Sequence, residues 1–179
     1  MPVLSSNDFI KFQNENPNIS IRESINRNTS VAFNHETITD TIQSNLKENN
    51  YIGYLMIDNQ IVASGFGIKE SSNSKYDTIY LHTFSVNSDY RGQGLCQKIV
   101  KEFIKKFGKN NILYLTVRTQ EGEENISAIK CYEKNNFIML PQVYRNHYDG
   151  KNNAMIRLPT TNKDSKNSKR NRKTRNKRK

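Results

Sequence analysis

The sequence predicts an α/β fold whose centre is a parallel strand–helix–strand unit. Residues 78 to 86, TIYLHTFSV, and 112 to 119, ILYLTVRT, are β-branched and aromatic runs of strand length. Between them Leu95, Ile99, Phe103 and Phe107 recur at helical spacing, while Lys98, Lys101, Glu102, Lys105 and Lys106 fill the opposite face. A helix joining two such strands is the crossover that parallel pairing requires. The flanking segments read as antiparallel. A mixed central sheet of about six to seven strands, flanked by helices, is therefore expected.

Each element follows in order. Residues 4 to 15 read as a short helix, capped by Ser5 or Ser6 and stopped by Pro17. NISIRES offers a short strand. From Asn34 to about Asn49, Ile38, Ile42 and Leu46 recur every four residues, a helical spacing. YIGYLMIDNQIVASGFGI is a hairpin, two β-rich runs joined by Asp58-Asn59. SSNSKYD is a polar loop before the 78–86 strand. After the helix from Gly94, the 112–119 strand is nearly all apolar and belongs inside the sheet. EGEE leads into a helix from about Asn125 to Asn135. FIMLPQVYRNHYDGKNNAMIRLP closes the fold as a hairpin turning near Asp149-Gly150. No internal repeat is present.

A chain of 179 residues suits one domain. Its net charge of +11 is unevenly placed. Residues 162 to 179 hold ten Lys or Arg and one acid, Asp164, or +9. The remainder has 28 − 10 = 18 bases against 17 − 1 = 16 acids, or +2. The basicity belongs to a tail and not to the domain. We divide the chain into a domain at 1–159, with a helical extension at 1–17, and a basic tail at 160–179 expected to be disordered. The tail has no interleaved aromatic residues, so it suits phosphates or another acidic partner better than base reading; a nuclear address or a solubilising extension are the other readings.

The two cysteines, Cys96 and Cys131, lie in separate helical patterns, which reads as a reduced, intracellular protein, cytoplasmic or nuclear. No apolar run approaches membrane-spanning length, and MPVLSSNDFIKF lacks the pattern of a leader. Asparagine occurs 25 times, so a single Asn carries little information. The sequence is silent on oligomeric state.

The chemistry concentrates at SVNSDYRGQGLCQKIV. Gly92 and Gly94 let backbone approach a ligand closely, and the helix after Gly94 presents unpaired N–H groups at the positive end of its dipole. Such a site holds a diphosphate without metal; alternatively, the glycines only relieve a tight turn. A dinucleotide fingerprint would need a glycine where Gln97 stands and an acid near residue 114, and a Walker loop would need GK[ST]; none is present.

The pattern V-x-x-x-Y-R-G-x-G-L between strand and helix resembles the GNAT superfamily of acyl-CoA N-acyltransferases, whose loop reads [RQ]-x-x-G-x-[GA]. Arg91 to Leu95 match it, and Cys96 replaces the final small residue. NISAIKCYEKNNF is similar to the family's N-x-x-A-x-x-x-Y-E-x-x-G-F at Asn125, Ala128, Tyr132, Glu133 and Phe137, with Asn136 in place of glycine. The resemblance covers roughly residues 19 to 158 and implies a GNAT fold and acetyl-CoA as cofactor. It implies that Arg91, Gly92, Gln93, Gly94, Leu95, Cys96 and Gln97 bind the pyrophosphate, together with Asn125. Backbone of Phe84, Ser85 and Val86 would run beside the pantetheine arm.

Acyl transfer to an amine needs a neutral nucleophile and a proton for the departing thiolate. Tyr132 is the candidate proton donor; its alternative is packing. Carboxylates that serve as base in some family members are replaced by Thr116 and Thr78. His82 is the candidate base, acting through water, and Glu121, Glu123 and Glu124 are others; a packed histidine and solvated acids are the alternatives. The ending YRNHYDGKNNAMIRL resembles that of N-terminal acetyltransferases, with Tyr144, His147 and Tyr148 at the acceptor mouth. The acceptor is expected to be a primary amine, of a protein or peptide or of a small molecule such as a polyamine. The competing class is a GNAT-shaped binding module without catalysis.

Overall fold

In the computed structural model of the chain, residues 2–17, 19–33, 41–70, 75–117, 125–141 and 153–160 are described. Among these residues seven strands and five α-helices run β1 (Val3–Ser5), α1 (Ser6–Glu15), α2 (Ile21–Ala32), α3 (Thr41–Asn45), β2 (Asn50–Ile57), β3 (Gln60–Glu70), β4 (Asp77–Val86), α4 (Leu95–Phe107), β5 (Asn111–Val117), α5 (Ile126–Glu133), β6 (Ile138–Met139) and β7 (Asn153–Arg157), with a 3-10 turn at Ser88–Tyr90. They form one sheet in the order β1-β2-β3-β4-β5-β7-β6. Among the described residues only β4 and β5 pair in parallel; the other pairings are antiparallel. The expected mixed sheet around a parallel unit is the fold.

Two apolar layers cover the sheet. On one face Ile79 and Leu81 of β4 and Leu113 and Leu115 of β5 meet Leu95, Ile99, Phe103 and Phe107 of α4, with Tyr132 of α5. On the other, Phe9, Ile21 and Ile25 meet Ile52, Ile61 and Phe66. The predicted hairpin is in place: Asp58 and Asn59 take φ of 47° and 59°, the left-handed pair a two-residue type I′ turn needs. Ser5 caps α1 by accepting from the Asp8 amide.

Three readings are corrected. NISIRES does not form a strand, because its residues from Ile21 open α2. The side chains of Ser20 and Glu23 hydrogen-bond at 2.8 Å, and Arg27 pairs with Glu23 one turn on. Four of the six buried residues of α2 are polar, which hides its helical period: Asn28 donates to the Ile61 carbonyl, and Asn26 accepts from the Ile42 amide. The helix expected from Asn34 to Asn49 is a five-residue helix, Thr41–Asn45, within the described residues. The first strand is β1, antiparallel to β2 at the sheet edge, where the sequence offers only three residues. The turn near Asp149-Gly150, the expected mouth residues Tyr144, His147 and Tyr148, the loop glutamates and residues 161–179 lie outside the described residues.

Candidate active site

The site lies where β4 and β5 part. Their ladder runs from Asp77–Asn111 to Leu81–Leu115 and stops, while β4 continues to Val86. Phe84, Ser85 and Val86 therefore have backbone unpaired with β5 along the resulting cleft. On its other side β4 carries a bulge against β3. Ser64 opposes Ser85 and Phe66 opposes His82, so the single Gly65 faces both Thr83 and Phe84. Thr83 holds the left-handed φ of 52°.

One extra residue exchanges the faces of everything beyond it. Tyr80 and His82 lie on the Phe66 side, and regular alternation would send Phe84 there too. Instead the Phe84 ring meets Phe103 and Tyr132 edge-on, with centroids 5.8 and 6.0 Å away. Ser85 turns back to lie 3.1 Å from the hydroxyl of Ser64, within reach of Thr29 on α2. Gly65 leaves room for this arrangement, since a Cβ on it would sit 2.6 Å from the Phe84 ring and force a shift.

At the cleft's open end the chain makes an amide cradle. Gly92 and Gly94 have φ of 77° and 73°, with open space where their Cβ atoms would be. Lys98 is the first amide to bond within the helix, donating to the Gly94 carbonyl. The amides of Leu95, Cys96 and Gln97 thus point out of the first turn without helical acceptors, and those of Gly92, Gln93 and Gly94 have no backbone acceptor among the described residues. A diphosphate fits this cradle at the positive end of a 13-residue helix. Arg91 is exposed and donates its Nε to the Val86 carbonyl at 3.4 Å, closing the loop on the end of β4.

The cysteines correct an expectation. Cys96 and Cys131 form a disulfide, with Cα atoms 6.3 Å apart. Their 35-residue separation concealed that α4 and α5 pack side by side. The Cys96 side chain points to α5 and away from the cradle, to which it contributes only its amide.

Tyr132 lies on α5 immediately after that bond and is buried. Burial pushes its phenol up, with the neighbouring Tyr80 adding to the shift, so it stays protonated across the working range. Asn125 caps α5 by accepting from the Ala128 amide at 3.1 Å, and Asn136 closes the segment with φ of 63°, the left-handed backbone that its substitution for glycine requires.

His82 is stacked between Tyr80 and Phe66, with centroids 5.3 and 5.8 Å away. Its Nδ1 lies 2.9 Å from the Thr83 hydroxyl, while Nε2 is buried without a partner among the described residues. Burial lowers its pKa to about 4, leaving it neutral at pH 7. Thr116, at the position of a possible base, instead shares a hydrogen bond of 3.1 Å with the Tyr80 hydroxyl. Tyr80 is the residue sequence reasoning passed over. It stacks on Tyr114, whose hydroxyl donates to the Glu70 carboxylate, and it is electrostatically coupled to Tyr132.

A family model described as Acetyltransferase (GNAT) family matches residues 18–137. The chain belongs to the GNAT family. Membership makes acetyl-CoA the cofactor expected of the amide cradle. No curated protein sequence matches the chain. Solved structures similar to this GNAT chain include the NatC complex bound to Gag peptide and CoA, at 20% identity and TM-score 0.55, covering 78% of this chain and 90% of that one. Another is an aminoglycoside 6'-N-acetyltransferase complexed with coenzyme A, at 12% identity and TM-score 0.60, covering 79% and 93%. A third is Arabidopsis thaliana Naa50 in complex with the bisubstrate analogue CoA-Ac-MVNAL, at 20% identity and TM-score 0.51, covering 72% and 85%. At such identities the likeness is one of fold.

Proposed function

We propose that this protein is an acetyl-CoA-dependent N-acetyltransferase whose acceptor is a primary amine of low pKa, a polypeptide N-terminus. The observation that carries the reading is the pairing of the amide cradle at 92–97 with the cleft at the parted ends of β4 and β5. Bound there, acetyl-CoA supplies an acyl thioester and a thiolate leaving group. The amides from Gly92 to Gln97 would hold its diphosphate, and the free edge of β4 from Phe84 to Val86 would orient the arm by backbone bonds. Asn125 would reach the coenzyme from the start of α5.

Tyr132 would act at the sulfur. A thiol has pKa about 8.5 and a free phenol about 10, and burial raises Tyr132 further. Complete transfer of its proton to thiolate is uphill. It serves better as a hydrogen-bond donor that stabilises charge developing on sulfur, with the proton for the thiol arriving from solvent.

The acceptor follows from the weakness of the base. His82 is neutral at pH 7, but its pKa of about 4 makes it a poor acceptor of a proton from an ammonium group. With His82 as the base, an amine must reach the site already neutral. An α-amine, pKa about 8, meets that condition far more often than a lysine at about 10.4. Solved relatives bound to a Gag peptide and to CoA-Ac-MVNAL accord with this acceptor.

The test incubates the full chain with acetyl-CoA and a mixture of peptides, lysine-containing peptides, polyamines and aminoglycosides, and locates new acetyl groups by mass spectrometry. Modification of peptide α-amines is expected. Acetylation confined to lysines or small amines would reassign the acceptor, and absence of product despite coenzyme binding would leave a GNAT-shaped binding module.

A further inference from the structure

The Cys96–Cys131 bond joins a residue inside the amide cradle to the residue beside Tyr132. Cys96 is the second residue of α4, between Leu95 and Gln97, so its own amide belongs to the cradle. That turn is weakly capped. Its N-cap is Gly94, which supplies no side-chain hydrogen bond, and Gly92 and Gly94 hold left-handed φ that glycine leaves as readily as it enters. Besides the disulfide, the turn is held by buried Leu95 and by the 3.4 Å contact of Arg91 with the Val86 carbonyl. The other end of the bond is firmer. Helix α5 has only eight residues, too few to be stable alone, but Ile129, Cys131 and Tyr132 bury it against the core. The bond thus ties a loosely held cradle to a packed helix.

The two cysteines differ in a way that suits exchange. Cys96 is partly exposed, whereas Cys131 is buried, so an incoming thiolate meets Cys96 first. Cys96 also stands in the first turn of α4, where the positive end of the dipole attracts the charge of a thiolate. Once free, that charge sits at the helix end that would hold the diphosphate, and like charges at one site repel. Fraying of the turn and repulsion at its amides both act against the coenzyme.

We propose that Cys96–Cys131 is a redox-active pair whose reduction by a dithiol weakens the hold of the cradle on acetyl-CoA; this rests on the reading of the cradle as the coenzyme site. One thiolate of the dithiol attacks the Cys96 sulfur, breaking the S–S bond and releasing the Cys131 thiolate, which takes up a proton. The second sulfur of the dithiol then attacks the first, expels the Cys96 thiolate and closes a cyclic disulfide. Two electrons pass from the dithiol to the pair, and the two thiol protons go to the cysteine sulfurs or to solvent. The coupling is reciprocal. A coenzyme that binds the bonded form more tightly by some factor makes the bond harder to reduce by the same factor.

The experiment uses the full chain and S-ethyl-coenzyme A, a thioether that thiols do not cleave. Calorimetry measures its Kd for the oxidised and the reduced chain. Free thiols are then counted by alkylation and mass spectrometry across dithiothreitol buffers of graded redox ratio, with and without saturating ligand. The reduced chain is expected to bind about tenfold more weakly than the oxidised chain. Saturating ligand should raise the ratio of reduced to oxidised dithiothreitol at the midpoint by the same factor of about ten. Cys96→Ser/Cys131→Ser should bind equally in oxidising and reducing buffer. Equal Kd for the two forms of the natural chain, a midpoint that ligand leaves unmoved, or a redox response that survives in the double variant would each overturn the proposal while leaving the coenzyme reading intact. So would a reduced chain that loses its far-ultraviolet circular dichroism, because the bond would then be a staple of the whole fold. An oxidised chain that binds no ligand would defeat the coenzyme reading and the proposal together.

Discussion

At the scale of single residues, Tyr132 and His82, on opposite sides of the sheet, are both held in their neutral forms by burial, with opposite consequences. Tyr132 keeps a proton it can share, so Tyr132→Phe is expected to lower kcat by roughly a hundredfold while changing the Kd for acetyl-CoA less than about twofold. An unchanged turnover would remove it from the chemistry. His82 keeps a lone pair but pays in acid stability. Its folded pKa of about 4 lies below the unfolded value of 6.5, so between those values the unfolded chain binds more protons. The stabilisation is complete above pH 6.5 and is lost as pH falls toward 4. Urea midpoints measured from pH 7.5 to 4 should therefore fall less steeply in His82→Phe than in the natural chain; identical slopes would contradict the buried, neutral imidazole. Both residues were nameable from sequence, Tyr132 from its motif and His82 from its strand. Their protonation states were not, because these depend on Phe66, Tyr80 and Phe84 closing over them from elements distant in the chain.

At the scale of elements, two joints hold the site in shape. The β4 bulge is one. Gly65→Ala places a methyl 2.6 Å from the Phe84 ring, and overpacking of that kind costs about 1–3 kcal/mol. The expected result is a lower melting temperature and a loss of turnover exceeding what the stability change explains; a variant as stable and active as the natural chain would show the ring free to move. The bulge was not read from the sequence, which was taken as a plain strand, although its apolar pattern changes phase there. Ile79 and Leu81 alternate inward, then polar Thr83 breaks the run, and apolar Phe84 and Val86 resume one position late. The other joint, Cys96–Cys131, was not visible, because a disulfide depends on the packing of α4 on α5 and not on spacing. A loop of 35 residues corresponds to roughly 3–4 kcal/mol of unfolded-state entropy. Reduction should lower the melting temperature of the natural chain and leave that of Cys96→Ser/Cys131→Ser unaffected, and two titratable thiols in the unreduced, denatured protein would show the bond absent. The same contrast governs the helices: α4 announces itself through an apolar stripe, whereas α2 hides because Asn28, Thr29 and Ser30 are buried where apolar residues are usual.

At the scale of the whole molecule, the charge division and the α4 axis together set what the tail can and cannot do to the site. The cradle lies at the N-terminus of α4 and the tail departs beside its C-terminus, about 20 Å away for 13 residues. At 0.15 M salt the Debye length is about 8 Å, so charge beside Thr160, where the described chain ends, is largely screened from the cradle. Acetyl-CoA at a hundred times its Kd stabilises a protein that binds it by about 2.7 kcal/mol, a rise of roughly 5–10 °C in Tm for a chain of this size. That rise is expected for the full chain and, within about 1 °C, for the chain ending at Thr160. No rise at millimolar acetyl-CoA in either would defeat the cradle as a coenzyme site. A rise present in the full chain and lost on truncation would mean that the tail reaches back along α4 to grip the coenzyme, and the separation of the two ends of that helix would no longer divide the molecule's functions.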